Sequence, residues 1–386
     1  MIGVAHLVTG LAVGGTEIAL LRLLSRMDRS RFRNTVISLS GPGALAAPIR
    51  ALGIEVYCLG LSAKRPNPLK LWQLIRLIRR IRPQVLQTWL YHSDLAGLAG
   101  AKLAGVDALA WNVRCSEMEE RYRTGLGGLL VKMLARLSAI PDVVVINSQA
   151  GIRTHEAFGY HPRRWELIAN GIDVDRFRPD PLARKSVRSE LGIEPEAILV
   201  GLIARFDPIK CHKDFLQAAA RLDQDTPVYF VLAGARVENE NHELTSQIEA
   251  LGLGGRALLL GPRSDVPRLH ASLDIAVCSS AGEGFPNMIA EAMACGVPCV
   301  TTDVGDAAAL VKDTGLVVPA HAPEAMADAL SQLIGKGAPH RRDLGDAARR
   351  RIAEHFGLAR MVARYESLYS ELTDGAGLTK PSAEPA

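Results

Sequence analysis

The chain has 386 residues, 48% hydrophobic and 22% charged, too many for one ordinary core and suited to two α/β domains, and the composition excludes disordered and collagen-like chains. Its six cysteines (Cys58, Cys115, Cys211, Cys278, Cys295 and Cys299) form no CxxC pair and stand at no zinc spacing from histidine, so neither a metal site nor a disulfide framework is expected. Net charge is +4, but residues 1–180 hold 24 Lys and Arg against 14 Asp and Glu and residues 181–386 hold 21 against 27; the basic half suits an anionic partner such as lipid headgroups or a lipid diphosphate, with a plainly solvated surface as the alternative.

Short β-branched runs alternate with amphipathic stretches. Ile2–Val8 reads as a strand followed by a helix from about Thr16. Strands follow at Thr35–Leu39, Glu55–Leu59, Gln84–Thr88, Ala108–Trp111 and Val143–Ile146, with a helix over Pro68–Ile81. A second series runs through Ile198–Arg205, Val228–Leu232, Ala257–Leu260, Ile275–Cys278 and Pro298–Thr301. Strand, helix, strand repeated in this way predicts parallel sheets with helices on both faces. Asn-Gly, two Asp-x pairs, Pro179 and Pro181 interrupt both periodicities between Asn170 and Leu191. The expected division is therefore a first domain over 1–172, a hinge over 173–190 and a second domain over 191–356. A C-terminal helix over 357–372, continuing a helical pattern from about Gly337, packs back on the first domain, and 373–386 is a flexible tail. No stretch reaches about eighteen uncharged apolar residues and the N-terminus lacks a basic start, so no membrane span and no export are expected.

In parallel sheets ligands collect beyond the carboxyl ends of the strands, and four segments fall there. Gly10-Leu-Ala-Val-Gly-Gly-Thr-Glu17 places Gly14 and Gly15 where a loop turns into a helix, so phosphate or sugar can rest on backbone N–H groups; the glycine spacing is not GxGxxG, and a tight turn is the plain alternative. Gln87 to Asp94, containing His92, and Trp111-Asn-Val-Arg114 end two strands of the first half: His92 can orient a hydroxyl and Arg114 can neutralise phosphate charge, although a lone histidine at a strand end is commonly structural. Arg205-Phe-Asp-Pro-Ile-Lys210 sets two cations around a proline turn, able to converge on one anion such as a diphosphate unless both are merely solvated. Gly282 to Gly296 carries Glu283 before a helix started by Pro286, with Glu291 inside it, the two carboxylates read as two helical turns apart. Glu291 stands in an apolar, small-residue stretch where burial asks for hydroxyl partners, as a ribose diol supplies; a helix cap and a solvent-facing Glu are the alternative.

In order and spacing these segments resemble glycosyltransferase family 4: Gly14-Gly-x-Glu17, Asn170-Gly-Ile-Asp173 with Phe177, Arg205 with Lys210, and the Glu283-x7-Glu291 pair. The resemblance implies the α/β GT-B fold, two Rossmann-like doubly wound domains with an interdomain cleft, and a retaining, metal-independent glycosyltransferase that needs no cofactor beyond its donor. It implies that Arg205 and Lys210 hold the donor diphosphate, Glu283 contacts sugar hydroxyls and Glu291 the ribose. Backbone groups over Gly284, Phe285, Pro286 and Asn287 complete that site, with Gly14, Gly15 and Asn170 contributing from the first domain and its edge. Many members carry histidine where this chain has Asn112-Val-Arg114, so His92 or Arg114 is the substitute. The expected reaction moves a hexose from a UDP- or GDP-sugar to a saccharide or lipid-linked saccharide acceptor in bacterial surface polysaccharide or glycolipid synthesis, with no nucleic acid involved. The expected location is cytoplasmic, peripheral on the inner face of the membrane. A nucleotide-sugar epimerase of the same fold and a non-catalytic nucleotide-sugar-binding subunit are the competing readings. Seven cations and no acid between Lys64 and Arg82 sharpen the membrane expectation, while Trp72, Ile75 and Ile78 with Leu71 or Leu74 form a stripe that a sheet can bury.

Overall fold

The computed structural model describes residues 1–61, 68–114, 122, 124–223 and 225–375. Lys64 and Arg65 of the basic stretch, Cys115, and residues 376–386 of the expected tail lie outside the described residues. The chain divides into two compact units, 1–171 with the segment from Leu358, and 172–357.

In the first unit β1 (Ile2–Val8), β2 (Phe32–Ser38), β3 (Glu55–Cys58), β4 (Val85–Trp89), β5 (Ala108–Val113), β6 (Val143–Ile146) and β7 (Trp165–Leu167) form one sheet in the order β3-β2-β1-β4-β5-β6-β7, with parallel pairing throughout. Alternate residues of β1 face opposite layers: Val4 and Val8 join Leu20, Leu23, Tyr365 and Tyr369 on one face, and Ala5 and Leu7 join Leu74, Ile78 and Leu134 on the other. The second unit repeats the scheme with β8 (Ile198–Ile203), β9 (Val228–Ala233), β10 (Ala257–Leu259), β11 (Ile275–Cys278), β12 (Cys299–Thr302) and β13 (Gly315–Val318), ordered β10-β9-β8-β11-β12-β13 and likewise parallel. Each strand order reverses once, between β1 and β4 and between β8 and β11, the places where open α/β sheets in general bind their ligands.

Two short edge strands, β7 and β13, go beyond the sequence reading. Residues 173–190, read as a hinge, instead lie in the second unit and carry the helix Pro181–Glu190, started by the Asp180 carboxylate accepting from Ala183 N–H at 2.9 Å. Arg184 and Arg188 fasten this helix to Asp274, and Asp274 also accepts from the Leu199 N–H. The helical pattern after Gly337 is two helices, Gly337–His355 and Leu358–Thr373, because the chain breaks at Phe356-Gly357, where Ile172 donates its N–H to the Phe356 carbonyl at 2.9 Å. Met361, Val362, Tyr365, Leu368 and Tyr369 form the buried stripe of the last helix, and Arg164 and Arg364 from either side pair with Glu166.

The basic helix Pro68–Ile81 buries Leu74, Ile75 and Ile78, each contributing about 1.5–3 kcal/mol. Trp72, counted from sequence in the same stripe, is instead 54% exposed beside the equally solvent-facing Leu69. The Arg76 guanidinium lies 4.4 Å from the Trp72 ring centroid, a cation–π contact on the solvent side. No helix among the described residues is long and apolar enough to cross a membrane.

Candidate functional site

The loops leaving β8 and β11 build the more charged of two constellations. After β8 the chain makes a single 3-10 turn, Pro208–Lys210, capped by the Asp207 carboxylate accepting from Ile209 N–H at 3.2 Å. Burial raises the Asp207 pKa, but that backbone bond and the Arg205 guanidinium outweigh it, so the carboxylate titrates below its ordinary range. After β11 the segment 279–284 folds against this turn: Ala281 N–H reaches the Ile209 carbonyl at 2.8 Å and the Ser279 hydroxyl the Lys210 carbonyl at 2.8 Å. Lys210 Nζ then meets Glu283 Oε1 at 2.5 Å, and the Ser280 hydroxyl donates to the same oxygen at 2.7 Å. Burial, with Glu283 adding to it, pushes the nearby Cys278 thiol up to about 11. Gly305 is required beneath this loop, since at φ +59° a Cβ would lie 2.0 Å from the Glu283 carbonyl oxygen.

Arg205 and Lys210 therefore do not converge on one group in this structure. Lys210 is held by Glu283, whereas Arg205 is largely exposed and pairs with Asp207 at 3.0 Å. Glu283 lies in the loop, and the helix begins only at Asn287, so the two carboxylates are not separated by two helical turns. Pro286 forms the N-cap position of the helix Asn287–Ala294 and makes no side-chain cap. Gly284 accepts Asp306 N–H at 3.1 Å, and the Phe285 ring is buried 5.5 Å from Phe356, so Phe285 offers a ligand its backbone rather than its ring. Glu291 is mostly buried, with His270 Nε2 3.9 Å from its carboxylate, and burial lowers the His270 pKa to about 3. His270 was not singled out in the sequence, and neither was Asp207, although its position before a proline marks it as a cap.

The second constellation gathers at the ends of β1, β4 and β5. Gly14 holds extended backbone at the N-cap of the helix Gly15–Arg26, where a Cβ would lie 2.5 Å from Glu17 Oε2. Burial raises the Glu17 pKa, against a backbone hydrogen bond and the attraction of Arg114. Arg114 donates to the Asn170 side-chain oxygen and lies 5.6 Å from the Trp89 ring centroid. Asn112, at the position the resemblance gives to histidine in many members, is buried and donates to the Tyr365 hydroxyl at 2.9 Å. His92 is exposed in the first turn of the helix Tyr91–Ala104, its ring 6.3 Å from that of Tyr122. His155 of the same unit is buried, bonded to the Tyr91 hydroxyl at 3.0 Å and lowered by burial to about 4, as is His6 on β1 beside Trp89. Leu90 turns from β4 into the helix at φ +71°, a strained conformation for a branched side chain.

Two family profiles match the chain, "Glycosyltransferase Family 4" over residues 13–176 and "Glycosyl transferases group 1" over residues 197–336. The chain is 27% identical to the lipopolysaccharide core biosynthesis mannosyltransferase LpsB of Rhizobium meliloti over 289 residues, covering 72% of this chain and 78% of the relative. It is 23% identical over 382 residues to an Escherichia coli UDP-Gal:alpha-D-GlcNAc-diphosphoundecaprenol alpha-1,3-galactosyltransferase, covering 96% and 97% of the two chains. Its fold superimposes on the crystal structure of Anabaena Alr3699/HepE in complex with UDP with a TM-score of 0.84 at 22% identity, over 96% and 100% of the chains. With two parallel Rossmann-like sheets, charged loops at the strand reversals and both profiles in order along it, the chain belongs to glycosyltransferase family 4 and is a glycosyltransferase of the GT-B fold.

Proposed function

We propose that the protein is a retaining glycosyltransferase that moves a hexose from a UDP- or GDP-sugar to a hydroxyl of a saccharide or lipid-linked saccharide, in polysaccharide or glycolipid synthesis. The observation that carries this reading is the Lys210–Glu283 pair at 2.5 Å beside the uncapped helix start at Asn287. A diphosphate entering there offers Lys210 a more highly charged partner, and the freed Glu283 carboxylate accepts hydrogen bonds from sugar hydroxyls. Arg205, exposed and pinned by one carboxylate, swings to the same anion at small cost. As the bond from the anomeric carbon to the diphosphate lengthens, negative charge grows on the leaving oxygen, and these cations with the helix N-terminus stabilise it. The acceptor hydroxyl attacks from the face the diphosphate leaves, which retains configuration; Glu283, committed to hydroxyls, is not the nucleophile of a double displacement. Glu291 binds the ribose diol.

Protein groups supply the positive charge, so transfer needs no metal and persists in EDTA; loss restored by Mg²⁺ or Mn²⁺ contradicts this. The relative that acts on a diphosphoundecaprenol-linked sugar supports a lipid-linked acceptor, and the exposed Leu69 and Trp72 beside Arg76 and Arg80 support peripheral contact with the inner face of an anionic membrane. Co-sedimentation with anionic vesicles at low salt, weakened by high salt and by Trp72→Ala with Arg76→Glu and Arg80→Glu, tests that contact. The reaction is tested by incubating donor sugars with and without acceptor and reading the product by NMR. An α-linked product from an α-linked donor, formed only with acceptor, supports transfer with retention. Turnover of donor alone to an epimerised sugar favours the epimerase, and donor binding with no reaction favours a binding subunit.

A further inference from the structure

No cysteine stands at zinc spacing from a histidine in the sequence, yet the fold of the second unit brings three ligand-type side chains together. Cys211 immediately follows Lys210, Asp214 lies in the first turn of the helix His212–Ala220, and His321 lies in the turn before the helix Pro323–Gly335. Their ligand atoms all lie within 4.8 Å of one another, with Cys211 Sγ to His321 Nδ1 at 3.9 Å and His321 Nδ1 to Asp214 Oδ2 at 3.1 Å. We propose that Cys211, Asp214 and His321 form a zinc site whose occupancy restrains the turn carrying Lys210.

The direction of the contacts separates coordination from a nucleophilic triad. In a Cys-His-Asp relay the thiol and the carboxylate engage opposite nitrogens of the imidazole. Here both engage Nδ1, so the three ligand atoms cluster about one nitrogen, and the Cys211 thiol, which also contacts the Pro208 and Ile209 carbonyls at 3.4 and 3.7 Å, stays within reach of it. Tetrahedral zinc with ordinary bonds to sulfur, nitrogen and carboxylate oxygen sets sulfur and nitrogen about 3.6 Å apart and nitrogen and oxygen about 3.3 Å apart. The observed separations lie within a few tenths of an ångström of these. Three protein ligands leave a fourth position for water, and the 65% exposure of the His321 side chain gives an ion a path inward.

The backbone supports the cluster independently. Cys211 at φ +47° and His321 at φ +56° both occupy left-handed conformations that residues other than glycine rarely adopt, and their side chains come within 3.9 Å of each other. Arg221, at the end of the helix that carries Asp214, pairs with Glu324 in the first turn of the helix that follows His321, so the two segments are neighbours. Through Cys211, a bound ion anchors the residue next to Lys210, and the Ser279–Lys210 and Ala281–Ile209 bonds extend that restraint to the Glu283 loop. The binding is independent of the proposed reaction, whereas the coupling to turnover rests on it.

The test uses the full chain in two arms. In the first, without donor or acceptor, Zn²⁺ is titrated by calorimetry and Co²⁺ by absorption. One saturable ion, a cobalt–thiolate charge-transfer band lost in Cys211→Ser, and affinity reduced at least about tenfold in Cys211→Ser, His321→Gln and Asp214→Asn are expected. No saturable binding, or binding and band unchanged in Cys211→Ser and His321→Gln, overturns the site. In the second arm Zn²⁺ slows sugar transfer several-fold, EDTA relieves it, and Cys211→Ser, active without zinc, escapes it. Zinc bound in the first arm with transfer unaffected overturns the coupling alone, and a chain that binds zinc but transfers no sugar under any condition counts against the proposed reaction instead.

Discussion

The two units share a topology but differ in how their strand-end loops are furnished. In the second unit the functional groups come from two nearby loops: Lys210 and Ser280 both bond Glu283 directly, and the helix that follows starts at Asn287 with no side-chain cap. In the first unit Arg114 is held by Asn170, and its neighbour Asn112 by Tyr365 from the last helix, so the constellation is assembled from distant parts of the chain. On the proposed function, the second unit is the one that holds the donor diphosphate. The first sets the Arg114 guanidinium against the Trp89 ring near the half-buried Glu17 carboxylate, which on the proposed function is the acceptor side.

The largest effect should come from the charged unit. Lys210→Ala and Arg205→Ala should each lower kcat by about a hundredfold with the fold intact by circular dichroism, by analogy with loss of one oxyanion donor. Wild-type rates in both would remove diphosphate stabilisation from this unit. Glu283→Gln should lower kcat by about tenfold while leaving nucleoside diphosphate affinity near wild type, because its assigned partners are the sugar hydroxyls. A parallel loss of nucleotide affinity would mean that Glu283 serves the nucleotide rather than the sugar.

A smaller, structural effect probes the first unit. Asp94 is fully buried behind β4, bonded to the Thr88 hydroxyl at 2.5 Å, and burial raises its pKa well above 3.8 despite that bond. The native state therefore keeps a proton that the unfolded chain releases above its ordinary carboxylate pKa, so Asp94 makes stability fall as pH rises from about 4 towards neutrality. Asp94→Asn should flatten that part of the pH dependence in denaturant melts. An unchanged profile would show that Asp94 is ionised in the folded protein.

How far the sequence could be read follows the same contrast. Val143–Ile146 is buried along its whole length and its bounds are legible as a continuous apolar run, whereas β7 and β13 are short, partly exposed edge strands with too little pattern to stand out. Arg205, Lys210, Glu283 and Glu291 are visible because each lies in a local motif, but their partners are not: nothing in the spacing pairs Lys210 with Glu283. Asn112 is visible as a departure from the histidine of many members, yet its link to Tyr365 spans most of the chain. Trp72 shows the limit of periodicity, since helical spacing puts it in the apolar stripe and the width of the buried face leaves it outside.

The division of labour between the units is tested most directly by calorimetry of UDP and GDP against wild type, Glu291→Gln and Arg114→Ala, all confirmed folded. Glu291→Gln should weaken the preferred nucleotide by about tenfold through loss of the charged acceptor for the ribose diol, while Arg114→Ala should bind it as wild type does and lose activity only in transfer. Unchanged affinity in Glu291→Gln together with weakened affinity in Arg114→Ala would contradict the assignment of the nucleotide to the second unit.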